Sequence, residues 1–182
     1  LNIIPKEAGE KITQAAKVDI IDWKKLEKRT SIVGYPILPL VEQLSEKVEG
    51  NFGQFCHWGA TTQDIMDTAD ILQIRKGLEL LSKDLKSISD ALEKIVEHHI
   101  KTPMAGRTHL QHALPISFGY KASTWLSGID RHHKRLEEIK KRIFNVSFFG
   151  AAGTLASLGE DNGLKTQSIL AEELDLNVPD VS

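Results

Sequence analysis

Apolar residues spaced alternately three and four apart run through the middle of the chain, and this seam constrains the fold more than any other feature of the sequence. The seam consists of Ile71, Ile74, Leu78, Leu81, Leu85, Ile88, Leu92 and Ile95. The spacing places these residues on one face of an α-helix and is typical of left-handed helix packing. At the rise of an α-helix, the predicted helix is roughly 36 Å long.

The same spacing recurs after Pro115 and predicts a second long helix that begins at this proline. Its seam consists of Phe118, Ala122, Trp125, Ile129, His132, Leu136, Ile139 and Ile143. Two long helices of matching period, joined by a short segment, predict an antiparallel pair in a helical bundle. Gly77 inside the first helix costs roughly 1 kcal/mol against alanine, so we expect close packing to favour glycine there.

The rest of the chain predicts shorter helices and no strand. Amphipathic patterns that predict helices cover residues 5–17, 21–30, 40–48 and 163–174. Pro36 and Pro39 break the helical pattern before the third of these segments. We expect an all-α fold, with a small helical N-terminal domain over residues 1–60 followed by part of a long helical bundle over residues 61–182. The chain begins at Leu1 and stops in a loop-like stretch, so we expect a fragment of a longer chain.

The composition is that of an ordinary globular protein and argues against several classes of function. Of the 182 residues, 41% are apolar and 26% are charged, and the formal net charge is −2. This balance gives no support for nucleic acid as a partner. The single cysteine, Cys56, excludes an intramolecular disulfide and fits a reducing, cytoplasmic location. No apolar run is long enough to predict a membrane span.

The stretch CHWGATTQDIMDTA, residues 56–69, places Thr61, Thr62 and Asp64 at the start of the first long helix. All three are potential N-caps, and a capping segment is one interpretation. The alternative uses the same physics, because a helix N-terminus offers N–H groups and partial positive charge to a carboxylate or phosphate. The threonine hydroxyls and His57 would then add hydrogen bonds to the same ligand.

The stretch MAGRTHLQHALP concentrates polar side chains between the two long helices. In one interpretation, Arg107, Thr108 and Gln111 orient a polar substrate while His109 transfers a proton, because histidine titrates near neutral pH. In the plainer interpretation, these side chains satisfy the loop backbone and cap the second helix. His109 and His112 would share a face if the segment were helical. A metal site is the less favoured alternative, because no cysteine or carboxylate stands at ligand spacing.

The two polar stretches together resemble a known family. HWGATTQDIMDTA followed by GRTHLQHALPISFGYK resembles the fumarase/aspartase superfamily of lyases. The stretches GYPILPLV, HWGATTQD and FFGAAGTLASLG are more similar to the 3-carboxy-cis,cis-muconate cycloisomerase branch than to adenylosuccinate lyase. The resemblance covers essentially the whole chain.

The resemblance implies a fold and a chemistry. It implies a small helical domain and a long bundle, with four subunits that pair their bundles into a homotetramer and share each active site. The reaction makes or breaks a C–O or C–N bond beta to a carboxylate of a small polycarboxylate, without a metal or organic cofactor. A base removes the proton next to that carboxylate and an acid protonates the leaving group, whereas in muconate cycloisomerases a carboxylate oxygen adds to a double bond. Neither nucleic acid nor a membrane is an expected partner.

The resemblance also assigns residues in this sequence. Thr108 and His109 match a Thr-His pair whose histidine is the general acid in several members. The substrate-binding residues that the resemblance and the polar stretches predict are His57, Thr61, Thr62, Gln63, Arg107 and Gln111. Hydroxyls, amides and a helix N-terminus are suited to a di- or tricarboxylate.

Two departures from the family pattern leave alternatives open. His109 stands where muconate cycloisomerases often carry tryptophan, so adenylosuccinate lyase remains an alternative. The family's Gly-Ser-Ser loop, which carries the general base, is absent from the sequence, so we expect the 182-residue chain alone to be inactive. In an antiparallel pair the two helices start at opposite ends, so we expect the two motifs to meet only between subunits. A non-catalytic helical scaffold is the alternative from another class, because heptad seams alone predict only packing.

Overall fold

The computed structural model describes residues 1–159 and 161–181, and this part of the chain is mostly helical, as predicted. The helices are α1 (Lys6–Ala15), α2 (Trp23–Val33), α3 (Ile37–Lys47), α4 (Thr62–His98), α5 (Phe118–Ile143) and α6 (Gly163–Leu174). The strands are β1 (Pro103–Thr108) and β2 (Gln111–Ser117). Each helix that the sequence pattern predicts is therefore present, and one β-hairpin was not predicted.

The chain divides into two compact units. The first unit comprises Leu1–Ile71 and the described residues from Asn145 onward, and the second comprises Leu72–Phe144. Helix α4 begins in the first unit and contributes its larger part to the second. The domain boundary at residue 60 stays a prediction.

Helix α3 begins earlier than its sequence pattern predicts. The prediction placed its start at residue 40, but the helix begins at Ile37, directly after Pro36. Pro39 lies in the first turn and is buried. The first turn of a helix has no intrahelical acceptors for its N–H groups, so a proline there removes no hydrogen bond. Pro39 is therefore part of the helix and does not end it.

The core of the first unit lies beneath the segment that follows α5. Its buried cluster is Phe148, Leu155 and Leu158, and partly buried side chains of Ile3, Ala60 and Leu170 pack against it. These residues come from the N-terminus, from the turn before α4, from the loop after α5 and from α6. The loop around residue 150, which is rich in small residues, thus supplies the buried side chains around which this cluster packs.

In the second unit, α4 and α5 form the antiparallel pair that the matching seams predict. Gly119, at the start of α5, lies so close to the end of α4 that an added Cβ would be 2.8 Å from the Val96 carbonyl oxygen. Gly119 N–H donates to the His99 carbonyl oxygen (2.9 Å). Further along the pair, Ser89 Oγ donates to the Asp130 carboxylate (3.3 Å).

The link between these helices is a β-hairpin, which corrects the prediction that Pro115 starts the second long helix. Pro115 lies in β2, opposite Ala105. Helix α5 begins at Phe118, and the Ser117 side chain caps it by accepting the Tyr120 N–H (3.1 Å). The serine hydroxyl accepts a hydrogen bond from a backbone N–H of the first turn. Proline has no side-chain acceptor and could not form this bond.

The heptad seam of α4 is only partly covered within one chain. Ile74, Leu81 and Ile88 recur every seven residues and are 44%, 46% and 45% exposed. Gly77 lies on the same stripe of the helix, between Ile74 and Leu81, and a Cβ added there would meet no described atom within 4 Å. A row of half-exposed aliphatic side chains at heptad spacing has the pattern of a helix-packing surface.

Candidate active site

The segment before α4 carries one group of predicted site residues. Thr61 directly precedes the helix, Thr62 is its first residue, and both side chains are partly buried. His57 and Gly59 adopt left-handed conformations, with φ of 62° and 81°. These two left-handed residues fold the chain into a compact turn that leads into α4.

Asp64 fastens this turn to the loop after α5. Its side chain is buried, with 3% exposure. One carboxylate oxygen, Oδ2, accepts the N–H of Thr61 (2.9 Å) and the N–H of Gly150 (3.0 Å). The other, Oδ1, accepts the N–H of Phe149 (2.9 Å). Asp64 is the third residue of α4 and not its N-cap, so the prediction that includes it among the N-cap candidates is wrong. Its bond from the Thr61 N–H is the back-bond of a capping box, and its other two bonds reach the distant loop.

Two neutral side chains hold the adjacent part of the same loop. Thr68 Oγ1 donates to the Ser147 carbonyl oxygen and accepts the Ser147 N–H, each at 3.0 Å. Gln167, which is 2% exposed, donates from Nε2 to the Phe148 carbonyl oxygen (3.0 Å). Buried backbone groups of residues 147–150 are thus paired with side chains instead of a neighbouring strand.

His57 is partly buried and lies near the negative charge of Asp64. Burial lowers the pKa of the His57 imidazole, and the Asp64 carboxylate opposes this shift in part. The net direction is downward, so the neutral imidazole predominates at neutral pH. A neutral ring has one donor and one acceptor nitrogen, which suits it to a hydrogen bond with a carboxylate.

Gln63 is the most exposed predicted binding residue of this segment. Its side-chain amide donates to the Asp67 carboxylate one turn along α4. This bond uses one of the two N–H groups of Nε2, so the second N–H and the carbonyl oxygen can still bind a ligand, in an orientation that the bond to Asp67 restricts. The substrate-binding role of Gln63 therefore stays a prediction, and Asp67 is its partner within the chain.

The second group of predicted site residues lies at the tip of the β-hairpin. Arg107 pairs with His112 and Thr108 pairs with Gln111 across the two strands. His109 and Leu110 form the two-residue turn, in which Leu110 has a φ of 56°.

The polar side chains of this tip are open to solvent within one chain. Arg107, Thr108, His109 and Gln111 are all exposed, and Leu110 is 93% exposed. The helical arrangement that would place His109 and His112 on one face is wrong, because the two residues lie at the turn and on a strand. Within residues 1–159 and 161–181, no group of three or more His, Cys, Asp or Glu side chains is placed to hold a metal ion.

The predicted residues thus form two local groups. His57, Thr61, Thr62 and Gln63 lie together in the first unit, and Arg107, Thr108, His109 and Gln111 lie together in the second. The role of Asp64 in holding the distant loop was missed. An acidic residue three positions after Thr61 is a capping signal in the sequence, but nothing local in the sequence identifies Phe149 and Gly150 as its partners.

Comparison with known proteins identifies the family. The signature of the lyase family matches residues 1–180. A fumarate lyase from Mesorhizobium sp. BNC1 is 57% identical, with a TM-score of 0.94 over 98% of this chain and 42% of that one. Trans-aconitate decarboxylase 1 of Mycosarcoma maydis is 46% identical over 97% of this chain and 36% of its own length. The 3-carboxy-cis,cis-muconate cycloisomerase of Pseudomonas aeruginosa is 38% identical over 98% of this chain and 39% of its own length.

The matches run along nearly the whole chain and agree with the helical fold. The chain spans about two fifths of the length of these curated relatives. In the described part of the chain, no helix combines the length and apolar character needed to cross a membrane. The motifs around Thr61 and His109 lie within the matched region. The chain therefore belongs to the lyase family of the fumarase/aspartase superfamily.

Proposed function

We propose that the protein containing this chain is a cofactor-independent lyase or cycloisomerase that acts on a di- or tricarboxylate. The observation that carries the proposal is the pairing of family membership with two groups of small polar donors, one at the start of α4 and one at the hairpin tip. Each group has the donors that a carboxylate-rich substrate needs, and the second supplies an exposed histidine for proton transfer.

The first group is proposed to bind a substrate carboxylate. Thr61 and Thr62 offer hydroxyl donors at the N-terminus of a long helix, where the partial positive charge favours an anion. The neutral His57 ring adds a donor beside them. Gln63 is proposed to join these contacts through the N–H of Nε2 that its bond to Asp67 leaves over.

The hairpin tip is proposed to supply the acid. In an elimination, a base removes the proton next to a carboxylate and His109 protonates the leaving group. In a cycloisomerase that closes the ring, a carboxylate oxygen adds to the double bond, and His109 donates the proton that the carbon next to the activating carboxylate takes up. Thr108, Arg107 and Gln111 orient the substrate around this transfer. The general base is proposed to come from a Gly-Ser-Ser loop, a motif that these 182 residues do not contain.

We propose a homotetramer in which each active site is shared between subunits. The supporting observation is the half-exposed stripe of Ile74, Leu81 and Ile88 on α4. Covering these side chains with partner helices would remove apolar surface from water, at about 25 cal/mol per Å². Helices from neighbouring subunits then complete the bundle and bring the α4 threonines of one subunit to the hairpin of another.

The substrate class can be narrowed by the chemistry of the relatives. The Mycosarcoma maydis relative is a trans-aconitate decarboxylase and the Pseudomonas aeruginosa relative is a 3-carboxy-cis,cis-muconate cycloisomerase. The two substrates are unsaturated tricarboxylates, so we propose an unsaturated tricarboxylate and place 3-carboxy-cis,cis-muconate chemistry first. Adenylosuccinate lyase is the second candidate, because the Methanocaldococcus jannaschii enzyme is 39% identical over 97% of this chain.

A direct substrate comparison tests this proposal. The complete protein is incubated separately with 3-carboxy-cis,cis-muconate, trans-aconitate and adenylosuccinate, and ultraviolet absorbance and product mass are followed. We expect turnover of one tricarboxylate without added metal and in the presence of chelator. Turnover of adenylosuccinate alone would select the second candidate. A folded oligomer that converts none of the three would contradict the proposal.

A substitution in the exposed stripe tests the shared site. Leu81→Asp places a charge at the centre of the stripe, and we expect dissociation in sedimentation velocity together with loss of activity, because a buried unpaired charge is strongly disfavoured. Lys83→Glu is the matched control, since Lys83 is an exposed residue of the same helix outside the seam. A fully active monomer of Leu81→Asp would rule out a site shared between subunits.

A further inference from the structure

We propose that Asp64 is a positioning residue that sets the geometry of the carboxylate-binding threonines by tying them to residues 149 and 150. This inference rests on the proposed function of Thr61 and Thr62. Asp64 is buried and accepts three backbone N–H groups, from Thr61, Phe149 and Gly150. It therefore acts on substrate only through the backbone it holds.

The two segments that Asp64 joins are far apart in sequence. The bond to Phe149 spans 85 positions and the bond to Gly150 spans 86. An acid at this position of a helix ordinarily caps only its own first turn. Here the same carboxylate fixes the first turn of α4 to a loop from another part of the chain, so the position of Thr61 depends on that loop.

Close backbone contacts leave little freedom at this junction. A Cβ added to Gly150 would lie 3.2 Å from the Gly59 carbonyl oxygen, and a Cβ added to Gly59 would lie 2.5 Å from Leu158 Cδ2. Both glycines have positive φ. These contacts fix the position of the turn that carries Thr61 against the loop. The hydrogen bonds of Asp64 hold the two segments together in that position. Displacing a binding group by about 1 Å can cost about 100-fold in rate.

The charge of Asp64 is compatible with an anionic substrate nearby because the carboxylate is already surrounded by donors. Three N–H dipoles point at its two oxygens, and the N-terminus of α4 adds partial positive charge. An amide at this position keeps the shape but replaces one oxygen with a group that does not accept hydrogen bonds. Asp64→Asn therefore loses at least one of the three bonds without creating a large cavity.

A double-mutant cycle in the complete protein tests the proposal. Asp64→Asn, Thr61→Ala and the double variant are compared with the wild type for kcat and KM on the substrate that the protein converts. We expect each single variant to raise KM about tenfold or more. We expect the double variant to be little worse than the worse single variant, because a residue that acts through Thr61 has nothing left to position once the hydroxyl is gone.

The control variant is Thr68→Val. Thr68 holds the same loop through Ser147 and has no bond to Thr61 in the described structure. We expect Thr68→Val to lower the unfolding midpoint while KM stays within about twofold of wild type. If Thr68→Val raises KM as much as Asp64→Asn does, loop anchoring in general is responsible and the specific role of Asp64 is overturned.

The outcomes separate this inference from the function on which it rests. If Thr61→Ala leaves kcat and KM unchanged, the proposed binding role of the threonine fails. If Thr61→Ala raises KM but the effects of the two substitutions multiply, Asp64 does not act through Thr61 and the positioning role alone fails. Should Asp64→Asn not fold, Gly150→Ala takes its place in the cycle, since it moves a donor of the same carboxylate. Multiplying effects there would again overturn the proposal.

Discussion

The turn before α4 and the β-hairpin carry the two groups of candidate site residues, but the chain holds them in opposite ways. The turn is tied by Asp64 to a loop 85 positions away, and its threonines are partly buried. The hairpin is held by pairing between its own two strands, and its tip is exposed. The first group is therefore preorganised by its own chain. The second group is exposed, and in the proposed homotetramer another subunit would cover it.

The two arrangements differ in how strongly a substitution affects stability. Substitutions in the turn disturb buried hydrogen bonds and close contacts, which lowers the free energy of unfolding as well as activity. Substitutions at the hairpin tip remove exposed side chains, which ordinarily changes stability by less than about 0.5 kcal/mol. Substitutions at the hairpin tip should therefore lower activity without lowering stability, whereas substitutions in the turn should lower both.

The largest effect is expected at the hairpin tip. His109→Gln in the complete protein should lower kcat about 100-fold or more, because a positioned general acid contributes at least that factor. The unfolding midpoint should stay unchanged, since His109 is exposed at a two-residue turn. Steady-state kinetics and thermal unfolding measure the two quantities.

The matched control for this prediction is His112→Gln. His112 is an exposed histidine of the same hairpin, opposite Arg107. We expect its kcat to stay within a few-fold of wild type. If His109→Gln keeps its kcat but loses stability, His109 has a structural role and is not the general acid. The proposed difference between the turn and the hairpin would then be wrong.

The second effect is expected at the turn. Gly59→Ala should lower the free energy of unfolding by about 2 kcal/mol, through the left-handed φ of 81° and the contact with Leu158. Activity should fall with stability, and urea denaturation followed by circular dichroism measures the change.

A glycine of the hairpin provides the comparison for Gly59→Ala. A Cβ added to Gly106 would lie 2.5 Å from the Leu114 carbonyl oxygen, so Gly106→Ala should distort the hairpin. We expect it to lower kcat with a smaller loss of stability than Gly59→Ala, because Gly106 does not have the positive φ that adds backbone strain at Gly59. Equal stability losses in the two variants would contradict the proposed difference between turn and hairpin.

The sequence predicts those parts of the fold whose signal is repeated over many residues. The alternating spacing from Ile71 to Ile95 predicts α4, because one helical face must keep its apolar character over several turns. The hairpin was missed because Gly106 lies in a register shift and Pro115 interrupts β2, so no clean alternation exists. The Asp64 contacts were missed because they join segments that have no common sequence pattern.

The candidate residues were identified by the resemblance of two sequence motifs to a known family. Their local secondary structure was predicted correctly for only one of the two motifs. The Thr61 motif was correctly placed at a helix start, because capping residues have local signatures. The His109 motif was placed just before a helix that starts at Pro115, whereas α5 begins at Phe118, nine positions after His109, and strand β2 lies between them. Polar residues specify the chemistry of a site, but the strand pairing that supports them depends on backbone contacts.

A third effect, of about 1 kcal/mol, tests whether α4 packs against a partner. Gly77→Ala should stabilise the helix of a separated chain by about 1 kcal/mol, because alanine has the higher helix propensity. We expect the same change to weaken the proposed tetramer, since Gly77 lies within the half-exposed stripe where another helix is proposed to approach closely. Sedimentation equilibrium measures the association and urea denaturation measures the stability.

Gly9→Ala is the control for the third prediction. Gly9 lies inside α1, and a Cβ added there would also meet no described atom within 4 Å. We expect this variant to gain stability without any change in association. If Gly77→Ala behaves in the same way, the stripe on α4 does not closely contact a partner at that residue.

The smallest effect concerns the pH dependence of stability at the turn. Burial lowers the pKa of His57 from its ordinary value of 6.5, so the unfolded chain takes up a proton on this residue more readily than the folded chain. The stabilising contribution is complete above pH 6.5 and is lost as the pH falls through the lower folded pKa. The free energy of unfolding of the wild type should therefore fall more than that of His57→Gln between about pH 7.5 and about pH 5.0, a range that extends to both sides of the ordinary pKa. Urea denaturation at both pH values gives the difference. An equal fall in wild type and His57→Gln would mean that His57 titrates alike in both states, and that burial of the turn does not reach this imidazole.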